Sequence, residues 1–254
     1  MSTNTTFRPR IPHNTMAQTG FYTVLSHHYD ALFPAEEDTL TFLTSQLSSA
    51  VPVLDAACGS GNYTHALLGK GFDVYGLDSE AGMIEHARAK GRSERFFVGD
   101  MLNLRELPPA PFGGIFCIGN SLSHVSSKAE VENFVVQAKE VMLSGGPLLL
   151  QVMNPERLIA NEAVALPRLE ATGVTMHRTY TYNPELELIE FTARLVTDRS
   201  EDVELSQTLL CVTEELLRRY LLRAGFTALE VAADFSGAAF ERSHSPMLVI
   251  SARA

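Results

Sequence analysis

Short apolar runs separated by amphipathic stretches fill the first 150 residues. Runs at 51–55, 72–77, 95–98, 112–118 and 146–153 carry few polar residues, the pattern of strands buried on both faces. Between them, residues 62–69, 80–90 and 128–142 repeat apolar positions every three or four residues, as helices do. The last stretch is the clearest: Val131, Phe134, Val135, Ala138, Val141 and Met142 share one face, and Ser127 and Glu130 can form a capping box at its start. Strand and helix in alternation predict a parallel sheet covered on both faces. Two further helical patterns, Phe21–Leu32 and Glu36–Leu47, precede the first strand.

After Asn154 the period changes from helical to alternating. Gly173–Tyr182, Leu186–Thr197 and Val203–Val212 place polar and apolar residues in turn around Asn183-Pro184-Glu185 and Asp198-Arg199-Ser200-Glu201-Asp202, which predicts antiparallel strands joined by turns. A helix at 214–224, ended by Gly225-Phe226, and strands near 227–234 and 246–252 follow. The expected organisation is a mobile segment at 1–20, rich in Ser, Thr, Asn and Pro, and a helical cap at 21–50. A core at 51–154 comes next, then an antiparallel insert at 155–212 that can cover a cleft, and residues 213–254 complete the core sheet. No internal repeat is visible.

Composition acts mainly by exclusion. The chain has 254 residues, 45% of them hydrophobic, and a net charge of -10 with no basic block. Nucleic acid and anionic membranes are poor partners for such a surface, because Lys and Arg supply most non-specific phosphate affinity. Cys58, Cys117 and Cys211 lie far apart in apolar segments and read as reduced core thiols, without zinc spacing or a disulfide framework, so no metal is expected. No stretch approaches the ~18 apolar residues of a membrane span, and Met1–Thr6 lacks a signal-peptide core, so a cytoplasmic location is expected; the oligomeric state, monomer or homodimer, is left open.

The most specific chemistry lies at the end of the first strand. Val53-Leu54-Asp55-Ala56-Ala57-Cys58-Gly59-Ser60-Gly61 is followed by Gly76-Leu77-Asp78, a buried strand, a glycine turn, a helix, a second strand and a terminal carboxylate. Ala57, Gly59 and Gly61 let a ligand approach the backbone, and Asp78 is placed to accept from two vicinal ribose hydroxyls. This points to a nucleoside-containing cofactor. A dinucleotide turn has a third glycine and faces a pyrophosphate, whereas this one lacks that glycine, starts from Asp55 and is expected to have no Lys or Arg near it. A cationic or zwitterionic ligand suits it better.

These residues resemble motif I of the class I S-adenosylmethionine-dependent methyltransferases, commonly D-x-A/G-x-G-S/T-G. The resemblance implies a doubly wound, seven-stranded, mostly parallel α/β sheet of Rossmann-like type, with the antiparallel segment inserted. It also implies S-adenosylmethionine as cofactor. On the matching positions, Asp55, Ala57, Gly59 and Gly61 form the cofactor turn, Asp78 with Ser79 the ribose site, and Met83 packs on adenine. In Phe96-Phe97-Val98-Gly99-Asp100-Met101, Asp100 and Met101 meet the adenine edge. Tyr22 and Tyr29 would close over the cofactor, as tyrosines do in related enzymes. The same residues have plainer readings: Asp78 as a helix N-cap, Asp100 as a turn residue, Met83 with Ile84 and Ala87 as a helix face, and both tyrosines as packing.

The segment after the fourth strand, Ile118-Gly119-Asn120-Ser121-Leu122-Ser123-His124, resembles the G-N-S-x-x-H segment of glycine N-methyltransferases. Ile118 then borders the cofactor, Asn120 orients the acceptor as a neutral donor and acceptor, and His124 is either a base or a structural histidine. Those enzymes carry an arginine before the asparagine ending strand five, where this chain has Val152-Met153-Asn154. Arg157 is a candidate replacement for that clamp, and Tyr180 and Tyr182, on one strand face, are candidates to line the acceptor pocket. Gly113 stands where relatives often have aspartate. The sequence reading is therefore a methyltransferase acting on a small molecule, at nitrogen first and oxygen next. A non-catalytic S-adenosylmethionine-binding protein and a nicotinamide-dependent oxidoreductase are its rivals.

Overall fold

Parallel strands buried on both faces form the centre of the molecule, as the apolar runs predict. The computed structural model describes residues 24–25, 27–107, 110–161, 163–199 and 201–254. Residues 27–32 are helical and lead into α1 (Glu37–Gln46), followed by β1 (Val53–Ala56), α2 (Asn62–Gly69), β2 (Val74–Asp78), α3 (Ala81–Ala89) and β3 (Phe96–Val98). The order continues with β4 (Gly114–Cys117), α4 (Lys128–Glu140), β5 (Pro147–Met153), α5 (Pro155–Asn161), β6 (Ala163–Ala165), β7 (Leu169–Ala171), β8 (Val174–Asn183), β9 (Leu188–Thr197) and β10 (Asp202–Leu210). It closes with α6 (Glu214–Arg223), β11 (Thr227–Ala232) and β12 (Met247–Arg253).

The seven-stranded sheet runs β11-β12-β5-β4-β1-β2-β3. β1 pairs in parallel with both β2 and β4, while β12 is antiparallel to β5 and β11. Strand order thus reverses between β1 and β4, and the ends of these two strands flank the crevice where open α/β sheets bind ligands. All four residues of β1 and of β4 are buried. Alternate positions feed opposite layers: Leu54, Ile115 and Cys117 pack with Phe134 of α4 and Leu217 of α6, whereas Val53 and Phe116 pack with Leu43 of α1 and Leu67 of α2.

Gly113 finds its explanation here. A Cβ at that position would lie 2.0 Å from Val51 Cγ2, so the approach of the strand-one entry leaves no room for any side chain, aspartate included.

The insert is a second, antiparallel sheet in the order β10-β9-β8-β6, with β7 also paired to β8. Helix α5 and strands β6 and β7 were not foreseen. Each is too short to establish a period: α5 has seven residues and starts at Pro155, and β6 and β7 have three each, with little buried surface. The α4 cap also differs in detail. Ser127 Oγ accepts from the Glu130 N–H at 3.2 Å, but the Glu130 carboxylate reaches one residue further back, to the Ser126 N–H at 2.6 Å. Among the described residues no helix is long and apolar enough to cross a membrane. The expected mobile segment at 1–20, and Tyr22, lie outside the described residues.

Candidate active site

At the end of β1 the chain turns through three left-handed residues, Ala57 (φ 69°), Gly59 (φ 56°) and Gly61 (φ 78°). Glycine is required at 61, where a Cβ would sit 2.6 Å from Phe96 Cε1. Asp78 ties this turn to β2: its carboxylate accepts from the Gly59 N–H at 2.7 Å and the Glu80 N–H at 2.9 Å. Burial raises its pKa against the pull of those backbone donors. The cap residue of α3 is Glu80 itself, so Asp78 does not act as the helix N-cap.

Asp55 is 3% exposed and accepts from Thr64 Oγ1 at 2.7 Å. Burial, with a further contribution from the Asp78 charge, moves its pKa up to about 7. Tyr29, from the helical residues before α1, lies over the turn, its hydroxyl 3.1 Å from where a Gly59 Cβ would be. Burial raises the Tyr29 pKa, and the charges of Asp78, Cys58, Asp55 and Asp30 push it the same way. Several acids therefore converge on one point, which fits a sulfonium and an ammonium and opposes a pyrophosphate.

Sequence spacing gave no hint of Asp30, which fastens Tyr29's segment to this turn. It accepts from Ser60 Oγ at 2.5 Å, lies 3.2 Å from His86 Nε2 and pairs with Lys90 Nζ at 2.8 Å. Burial works to raise its pKa, but the bonds from Lys90 and Ser60 hold it below the ordinary value. Lys90 also donates to Asn62 Oδ1 at 2.8 Å, and Asn62 Nδ2 to the Phe33 carbonyl at 2.8 Å. The expectation that no basic residue stands near the turn is corrected here. Helix α3 brings Lys90 to it from 28 residues away, with its charge matched by Asp30.

On the β2–β3 side, Ile84, Ala87 and Phe96 form an apolar cluster with Cys58 packed against it, and half-buried Met83 is not part of it. Ser79 is exposed. Asp100 is exposed too and caps a 3-10 turn through the Leu102 N–H at 2.8 Å, while Met101 packs against the main core. Ile118 is 8% exposed and belongs to the α1–α2 cluster.

Beyond β4 the chain passes through Gly119 (φ 74°) and Asn120 (φ 67°), whose N–H groups both point to Gln151 Oε1 of β5, at 2.7 and 3.3 Å. Asn120 is buried, and its Oδ1 accepts from the Met153 N–H and from Ser123 Oγ, each at 2.9 Å. Its side chain lies by Tyr180, whose hydroxyl burial pushes up in pKa while Arg178 and Asn120 pull it down. Tyr180 also stacks at 5.1 Å on Phe191. His124 Nδ1 lies 2.9 Å from Gln207 Nε2 of β10. The residue is exposed at its surface, and the protein packed around the ring lowers its pKa to about 4 by desolvation. A neutral imidazole of this kind is a hydrogen-bonding group and a feeble base at pH 7.

Asn120, His124 and Tyr180 are thus brought together, with Gln207, which the sequence did not single out. Tyr182 and Arg157 part from them. Tyr182 lines a separate pocket of about 280 Å³ with Lys128, Glu187, Cys211 and Arg219. Arg157 lies in α5, and among the described residues no bond ties its guanidinium to Asn120 or Tyr180. Nor does the strand-five methionine offer a clamp, since Met153 is buried at 8% exposure in an apolar cluster.

Residues 53–146, which run from β1 to the residue before β5, match the family model of the methyltransferase domain. The chain is a class I S-adenosylmethionine-dependent methyltransferase. Its cofactor is S-adenosylmethionine. The methyltransferase is 25% identical over 193 residues to a glycine/sarcosine N-methyltransferase of Aphanothece halophytica, covering 72% of this chain and 69% of that protein. A glycine/sarcosine N-methyltransferase of Parasynechococcus marenigrum is 29% identical over 135 residues, 52% of this chain and 48% of that one. In fold it resembles the CcbJ methyltransferase of Streptomyces caelestis, with a TM-score of 0.76 at 20% identity over 91% of this chain and 96% of that one. It also resembles CalS10, an amino pentose methyltransferase of Micromonospora echinaspora, with a TM-score of 0.67 at 18% identity over 96% and 100%.

Proposed function

We propose that this methyltransferase alkylates a nitrogen of a small molecule held between the core and the insert. In this reading Asp55, Ala57, Gly59, Gly61, Asp78, Ser79, Met83, Asp100, Met101 and Ile118 form the cofactor side, and Tyr29, latched by Asp30, closes it. S-adenosylmethionine supplies, when bound, an electrophilic methyl group. What the chain must add is alignment of a free lone pair and exclusion of water.

The observation that carries this reading is the hydrogen-bonding set at the ends of β4 and β5: Asn120, Tyr180, and a His124 held through Nδ1 by Gln207, with its pKa lowered to about 4. A phenolic acceptor would need a base to ionise it, and this set offers none of suitable strength, whereas an amine arriving as its free base needs only an oxygen to accept its N–H. The Asn120 oxygen is already taken by Met153 and Ser123, so Tyr180 is the group that meets the amine and Asn120 is the residue that positions it. Relatives named for glycine, sarcosine and an amino pentose point the same way.

The test is S-adenosylhomocysteine release from parallel panels of amines and phenols. Turnover confined to amines, with a Tyr180→Phe loss of about ten-fold or more in kcat, supports the proposal. Turnover of phenols with Tyr180→Phe unchanged would move the acceptor to oxygen and Tyr180 out of the site.

A further inference from the structure

The inner face of the insert changes character along its length. At one end Val174, Met176, Ala193, Leu195 and Leu205 pack on Leu25 and Leu32 of the cap. At the other, Ile189 and Leu209 pack with Met153 and Leu158. Between these apolar clusters the same face carries Arg178, opposite Ala193, and Tyr180, opposite Phe191, which in turn is opposite Gln207. Tyr180 and Gln207 of the insert lie against Asn120 and His124, so this polar band faces the acceptor end of the site.

Arg178 lies two residues from Tyr180 on that face, a separation of about 6.7 Å along a strand. One terminal nitrogen donates to the Pro167 carbonyl at 3.2 Å, and the guanidinium carbon sits 5.9 Å from the Phe33 ring centre of the cap. Its Nε is buried with no hydrogen-bond partner, and among the described residues no carboxylate pairs with it. The acids of the site are committed elsewhere, Asp30 to Lys90 and Ser60, and Asp78 to the glycine turn. A buried, orphaned donor on a half-buried cation opposes folding unless something else supplies the acceptor.

We infer that Arg178 is the binding residue for a carboxylate on the acceptor, so that the substrate is an amine bearing a carboxylate a few bonds away. The guanidinium fork suits a planar carboxylate in bidentate fashion, and apolar flanks around a single positive charge favour a single negative one over a phosphate dianion. The inference rests on the N-methylation reading and narrows it from amines in general, amino sugars included, to amino acids. It also moves the carboxylate clamp from the end of strand five, where Met153 cannot serve, to the insert.

The test uses the full chain saturated with S-adenosylhomocysteine. Acetate, acetamide and inorganic phosphate are titrated to about 50 mM while the Arg178 Nε–H resonance, assigned with Arg178→Lys, is followed. A saturable shift with acetate and none with acetamide is expected. An unmoved resonance with acetate, or tighter binding of phosphate, overturns the carboxylate assignment. In turnover, glycine, sarcosine and β-alanine are compared with their carboxamides. Arg178→Met should raise KM for the acids about 100-fold, with kcat and S-adenosylhomocysteine affinity held, and Arg178→Lys should recover part of that loss. Equal use of acids and amides, or an unchanged KM in Arg178→Met, sinks the inference while leaving N-methylation standing. Failure to bind S-adenosylhomocysteine, or methylation confined to phenols, would instead sink the reading beneath it.

Discussion

Asp55 is a carboxylate at 3% exposure that accepts from Thr64, and burial makes it hold its proton until about pH 7. The unfolded chain loses that proton near the ordinary value of 3.8. Between these values the folded state binds one more proton than the unfolded state, so stability falls as pH rises through the window, by about 1.4 kcal/mol per unit. Asp78, also raised by burial, acts in the same direction. Denaturant midpoints measured without cofactor at pH 5 and pH 7.5 should show the decline, and Asp55→Asn should flatten it. A steeper decline in that variant would place the titrating group elsewhere. For Asp78 the expectation concerns affinity: Asp78→Ala should cost about 2 to 3 kcal/mol of S-adenosylmethionine binding by calorimetry, because charge-assisted bonds to the ribose and the anchor of the Gly59 turn are lost together.

At the scale of elements, two contacts decide whether the site is built. The first is the approach of Val51 to Gly113, which sets how β1 and β4 enter the sheet side by side. Gly113→Ala should destabilise the fold by about 1 to 3 kcal/mol in urea titration, and the double variant Val51→Ala, Gly113→Ala should recover part of it. Additive losses would show that overlap with Val51 is not the cause. The second is the latch of Asp30 to Ser60 and Lys90, which holds the segment of Tyr29 on the glycine turn. Asp30→Asn should increase amide exchange in residues 27–33 while leaving that of β1 and β4 unchanged.

Over the whole molecule, charge and cover act together. The chain carries a net charge of -10, and Asp30, Asp55 and Asp78 all act on the Tyr29 hydroxyl above the glycine turn. A cofactor with a sulfonium should be held better than its uncharged thioether product, and the difference should shrink with added salt. Calorimetry with S-adenosylmethionine and S-adenosylhomocysteine at two ionic strengths checks this. Equal affinities at low salt would show that the acids do not act on the sulfur centre.

What the sequence determined by itself was everything carried by local period and local chemistry. The apolar runs fixed β1 to β5, and the face of Val131, Phe134 and Val135 fixed α4, since burial and period are properties of a few consecutive residues. The turn at Ala57, Gly59 and Gly61 was legible because left-handed backbone admits few residue types. Tertiary structure alone decided what depends on meeting across distance. Lys90 reaches Asn62 only through the packing of α3, and Asp30 reaches Ser60 only because the cap folds back over the turn. Tyr180 and Tyr182 share a strand face and pack on one apolar cluster, yet one lies against Asn120 and the other lines a separate pocket, because a residue's row along the strand decides what stands opposite its outer end. Arg178 and Gln207 sit in alternating strands that look alike in sequence, and only the register of β8, β9 and β10 places them between two apolar clusters and over the ends of β4 and β5.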